Sequence, residues 1–140
     1  MKYIFCALLI LSCIAAYSCS CLPLGKINDE QHSKYDLIAK GKITKIDTEN
    51  YKLVLTVKVN TYYKGKQRNK KIKIQTGANE AICGLTVSVG EKWLFFSYKK
   101  EDVYTSSLCT RTKRLSPKAV GFRGDEVEDD LKYLEEKRRH

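Results

Sequence analysis

Histidine is almost missing from this chain of 140 residues: only His32 and His140 occur. A metal site or acid–base centre built on histidine therefore has no material. There is no Gly-rich phosphate loop, no nucleophile elbow and no paired-cysteine zinc knuckle. These absences argue against an enzyme and against a metal or cofactor of its own. Internal repeats and low-complexity segments are lacking too. Acidic residues are in deficit, 16 against 26 Lys+Arg, which leaves a formal charge of +10. With 30% charged and 43% hydrophobic residues the chain is neither a disordered tail nor a membrane bundle, and its length suits one domain.

The single long apolar run is at the start. Lys2 precedes Tyr3 to Ile14, and Ala16-Tyr17-Ser18 puts small residues at −3 and −1 of a cleavage after Ser18. The run is shorter than a membrane span of about 20 residues, so no transmembrane segment is expected. Residues 1–18 read as a secretory signal, which makes the product secreted. Cys6 and Cys13 leave with it, and the mature chain starts at Cys19 with a charge of +9. Lipoprotein processing also leaves a cysteine at +1, acylated and anchored to an envelope. Ala16-Tyr17-Ser18-Cys19 is a poor lipobox, because Tyr17 sits where a small or aliphatic residue is usual. Ile10-Leu11-Ser12-Cys13 is a second imperfect one.

Beyond Cys21 the chain reads as an extended lead-in and a short helix or turn, then short strands. A strand is expected from Asp36 to Ile46. Another spans 51–63, where Leu53, Leu55, Val57 and Val59 alternate with wetter positions. Further strands are expected through Ile72 and Ile74, through Leu85, Val87 and Val89, over Lys92 to Tyr98, and over Val103 to Thr110. Ser116-Pro117 can start a helix, with Pro at its first turn. From Asp125 to Arg139 acids come first and bases last, and Val127, Leu131 and Leu134 form an apolar stripe. The expected organisation is a signal (1–18), a small β barrel or sandwich (19–116) and a charged helical tail (117–140). The acids at 125–130 and Glu135-Glu136 read as a solvated helix face.

Four mature cysteines remain: Cys19, Cys21, Cys83 and Cys109. In an exported chain these make two disulfides, contributing about 2–4 kcal/mol each. Side chains at i and i+2 of an extended segment lie parallel, so Cys19 and Cys21 are poorly placed to bond to each other. Two pairings remain open: Cys19–Cys83 with Cys21–Cys109, or Cys19–Cys109 with Cys21–Cys83. Either fastens a terminus that would ordinarily fray.

The start Cys19-Ser20-Cys21-Leu22-Pro23 resembles that of the tissue inhibitors of metalloproteinases, which begin Cys-Ser/Thr-Cys with a proline two residues on. Asp36-Leu37-Ile38-Ala39-Lys40-Gly41-Lys42 resembles their first strand. Glu80-Ala81-Ile82-Cys83-Gly84 is similar to a family loop carrying a Cys-Gly pair, and Ser106-Ser107-Leu108-Cys109 falls where a later family cysteine lies. The likeness covers about residues 19 to 115. No cysteine matches the family's third N-domain bridge, and the charged tail stands in place of its six-cysteine C-terminal domain.

The resemblance implies a netrin-like module: a mainly β fold, a five-stranded OB-like barrel with flanking helices, one of them C-terminal. It implies the pairing Cys19–Cys83 and Cys21–Cys109. It also implies a monomeric inhibitor of zinc metalloproteinases, in which the Cys19 amine and carbonyl chelate the protease zinc. Ser20, Cys21, Leu22 and Pro23 would line the cleft, with Ala81, Ile82 and Cys83 as a second strip. The alternative is a non-inhibitory module, lipid-anchored if Cys19 is acylated, that binds an acidic glycan, matrix or envelope polymer through basic residues. Lys64, Lys66, Arg68, Lys70, Lys71 and Lys73 form the candidate patch, with Arg111, Lys113, Arg114 and Lys118 as a second group. Nucleic acid is not an expected partner of an exported, bridged chain.

Overall fold

The computed structural model describes residues 19–65, 69–117 and 126–140. The signal segment, Lys66, Arg68 and Lys118 lie outside these described residues. Helix α1 spans Asp29–Lys34 and is capped by Asn28, whose side chain accepts from the Gln31 N–H. Six strands follow: β1 Leu37–Glu49, β2 Lys52–Lys64, β3 Lys71–Gly77, β4 Lys92–Lys100, β5 Val103–Thr105 and β6 Lys113–Ser116. Helix α2, Val127–Arg139, ends the fold.

The strands form one sheet in the order β1-β2-β3-β5-β4-β6, and β1 also pairs with β4, so the sheet closes in a ring. All contacts are antiparallel except β3 with β5. β6 runs along the edge of β4 beyond β5 and makes the sheet six-stranded, where the family resemblance implies five strands.

Inside the ring lie Leu37, Ala39, Ile43, Leu55, Val57, Ile72, Ile74, Trp93 and Phe95. A second cluster on the outer face joins Ile38, Leu94 and Phe96 to Tyr35 and to Leu134 of α2. β4 is thus buried on both faces, which accounts for its unbroken apolar run. Val127 and Leu134 of the expected stripe are buried and Leu131 half-buried.

Two expectations are corrected. Leu85 to Val89 make no strand: Leu85 enters the core, its N–H bonded to Thr76 Oγ1 at 2.9 Å, while Val89 is exposed. The strand expected to Thr110 stops at Thr105, because Ser107 and Thr110 close a tight turn. Ser116 is the last residue of β6; residues 118–125, through which a helix started at Ser116-Pro117 would run, lie outside the described residues, Asp125 among them, and α2 begins at Val127.

Candidate functional site

Cys19 and Cys21 lie on an extended segment and are bridged to Cys83 and Cys109 respectively, with Cα separations of 5.2 and 5.0 Å. This is the pairing that the family resemblance implied. The two bridges pack against one another: Cys19 Sγ lies 3.7 Å from Cys109 Sγ, and Cys109 Sγ lies 3.9 Å from Cys83 Sγ. The sulfurs of Cys19, Cys83 and Cys109 sit within 4.8 Å of one another. Bridged, they offer no thiolate to a metal.

The Cys83 side is shaped by a single 3₁₀ turn, Glu80–Ile82. Asn79 caps it through its side chain, and Cys83 ends it in the left-handed region at φ 59°. Gly84 then lies flat on β3, where a Cβ would collide with the Gly77 carbonyl; a Cβ at Gly77 would in turn meet Ile82 at 2.9 Å. Two glycines back to back therefore seat the turn against the end of β3. The Leu108 N–H donates to the Cys83 carbonyl at 2.9 Å, tying this turn to the Cys109 loop.

Around the bridges the surface is apolar and open. Leu22 is 84% exposed, Ile82 52% and Tyr51 86%. Ser20, Pro23 and Ala81 are exposed as well, and Cys21 and Cys83 partly so. Tyr51, at the tip of the β1–β2 hairpin, shares with Ile82 a cleft of about 310 Å³ that Gly77 and Ser107 also line. The sequence reading missed Tyr51. Its signal is local: Asn50 and Tyr51 both take positive φ, as a two-residue hairpin turn demands.

Downstream of Pro23 the segment is held by Arg111. This side chain is fully buried. Its Nη2 donates to the Leu24 carbonyl at 3.3 Å and to the Gly25 carbonyl, its Nε to Gln31 Oε1 at 3.1 Å, and its Nη1 to Asp130 Oδ1 at 2.9 Å. Lys113 Nζ reaches the other Asp130 oxygen at 2.5 Å. Two expectations fail here. Asp130 is not on a solvated face, and Arg111 and Lys113 are not a surface patch, because each sign is buried against the other. Burial pushes the Asp130 carboxyl up, and the bonds from Lys113 and Arg111 oppose that rise. Burial also lifts the Tyr35 hydroxyl to about 12, so it stays protonated while accepting the Arg111 N–H at 3.1 Å.

The third member of that basic group, Arg114, pairs with Glu91 at 3.0 Å. Burial would raise the Glu91 carboxyl. Hydrogen bonds from the Ser88 N–H, Trp93 Nε1 and Arg114 outweigh it and hold the group below its ordinary value.

The candidate basic patch is divided. Lys64 Nζ turns to the last carbonyls of α1, His32 and Ser33, both at 2.9 Å. Lys71 and Lys73 point outward from β3, and Lys70 is exposed beside them. Among the described residues no helix is long and apolar enough to cross a membrane.

No family model matches this chain, and no curated protein matches it.

Proposed function

We propose that the chain is a secreted, TIMP-like inhibitor of zinc metalloproteinases on an OB-like, netrin-type fold. The observation that carries the reading is the paired bridging of Cys19 and Cys21 to the Cys83 turn and the Cys109 loop. It holds an edge made of two segments, the extended Cys19 to Pro23 and the 3₁₀ turn carrying Ala81 and Ile82, with their apolar side chains exposed.

Cleavage after Ser18 frees the Cys19 amine. Amine and carbonyl together replace the water on the target's zinc, where a catalytic site keeps one position open. Ser20 enters the adjoining substrate pocket, and Leu22 and Pro23 follow the cleft. Ala81 and Ile82 lie alongside, with Cys83 anchoring them. Because the edge is already ordered, binding loses little conformational entropy. No peptide bond crosses the metal in a cleavable position, so the inhibitor is not consumed.

An α-amine ionises at about 7.7–8.0 and binds zinc only when neutral. Inhibition should therefore weaken as pH falls below 7. The deciding experiment compares the protein starting at Cys19 with one carrying a single extra Ala before it, against a panel of zinc endopeptidases. Nanomolar to micromolar inhibition by the first and at least a hundredfold loss in the second is expected. Equal potency of the two, or no inhibition by either, overturns the reading.

A further inference from the structure

The register of the sheet assembles a charge pattern that the linear sequence hides. Lys71 of β3 faces Lys58 of β2, Lys58 faces Lys42 of β1, and Lys42 faces Lys92 of β4. Residues directly opposite share a face, so four lysines stand in one row across four neighbouring strands. At about 4.8 Å per strand the row is about 14 Å long. All four are exposed, and none is ion-paired with a described residue.

Like charges placed directly opposite are destabilising. The next rung avoids this. There Thr56 separates Lys45 from Lys73, Lys45 pairs with Asp47 at 2.7 Å, and Lys73 shares a hollow with Glu49 and Asp102. The row of four carries no such compensation among the described residues. Among the described residues, α2 covers the outer face further along β1 and β4, where Ile38, Leu94 and Phe96 lie with Leu134, and the row lies beyond that cover with all four lysines exposed.

We propose that this row binds a linear, densely sulfated glycan laid across the strands. Four exposed ammonium groups in single file match a chain of closely spaced anions. An anionic membrane would favour a broad basic patch with apolar side chains to insert. Single-stranded nucleic acid would favour aromatic platforms beside the charges. The nearest tyrosines of β2 are engaged elsewhere, Tyr62 with the Asn69 carbonyl and Tyr63 with Glu135. Lys71 opens β3 and Gly77, which seats the Cys83 turn, closes it. About 20 Å of strand lies between them. The glycan row and the Cys19 edge are therefore separate, and this inference does not rest on the inhibitor reading.

The test measures binding of a heparin decasaccharide at 0.15 M salt by calorimetry. Lys42→Glu/Lys58→Glu is compared with a control of equal net charge, Lys100→Glu/Lys132→Glu, and with the milder Lys42→Thr/Lys58→Thr. Urea denaturation checks folding, and the Thr variant should be at least as stable as the parent because it removes a like-charge contact. A tenfold or greater loss in the Glu pair, a smaller loss in the Thr pair and less than twofold in the control are expected. The slope of log affinity against log salt should fall by about two in the Thr pair. Equal losses in row and control variants overturn the proposal. So does row-dependent binding that is tighter to vesicles containing phosphatidylserine, or to a single-stranded oligonucleotide, than to the glycan.

Discussion

At the residue scale, Gly84 and Glu91 carry more than their size suggests. Gly84 has no room for a Cβ against the Gly77 carbonyl. Gly84→Ala should cost about 3 kcal/mol or more, since the obstacle is main chain and cannot rotate aside. A drop in the urea midpoint at unchanged slope checks it. Glu91 offers a pH test. Its folded carboxyl titrates below the unfolded value, so its contribution is present above about pH 4.3 and is lost as pH falls through the folded value. Glu91→Gln should lower stability at pH 7 and flatten the acid limb below about pH 4.3, read from Tm against pH. The Cys83-Gly84 pair was legible in the sequence as a loop signature. Its partner Gly77 was not, because nothing local announces that two backbones touch. Asp130 was misread for a similar reason: a carboxylate in an acidic run reads as solvated until its cations, 19 and 17 residues upstream, are brought to it.

At the element scale, period-two alternation disclosed β2 and β3, and the unbroken run of β4 signalled burial on both faces. Leu85 to Val89 alternate just as well yet form no ladder, and the Leu85 N–H bonds to Thr76 Oγ1 instead of to a main-chain carbonyl of a neighbouring strand. β6 was invisible: Lys113-Arg114-Leu115 has no strand-like pattern, and β4 recruits it by pairing. Helix α2 was found by its stripe and charge order, but its attachment was not. It docks by Leu134 on Phe96 and Leu94 and by Asp130 on Arg111 and Lys113. Leu134→Ala should cost about 2–4 kcal/mol. Asp130→Ala should cost roughly 3–5 kcal/mol, because it strands two buried cations. Urea titration of both variants, with helix content followed by circular dichroism, distinguishes loss of the helix from loss of the whole fold.

At the scale of the whole molecule, the ring of strands is closed by hydrogen bonds and the N-terminal segment by sulfur. The Cys19–Cys83 bridge closes a loop with a separation of 64 residues. Cys21–Cys109 begins two residues later, so its added constraint is mainly the separation of 26 between Cys83 and Cys109. Loop-closure entropy makes these worth roughly 4 and 3 kcal/mol. Together they are comparable to the net stability of an ordinary domain. Full reduction should therefore lower Tm by tens of degrees or abolish the transition, measured by calorimetry with and without a thiol reductant. The contact between the bridges has a further consequence. Replace Cys83 by Ser and the freed Cys19 thiolate sits against Cys109 Sγ, within 3.7 Å in the parent arrangement. Attack there forms Cys19–Cys109, breaks Cys21–Cys109 and expels the Cys21 thiolate. A single lost cysteine thus unlocks both ties in turn, and peptide mapping of Cys83→Ser should recover two rival bridges where a lone survivor would be anticipated.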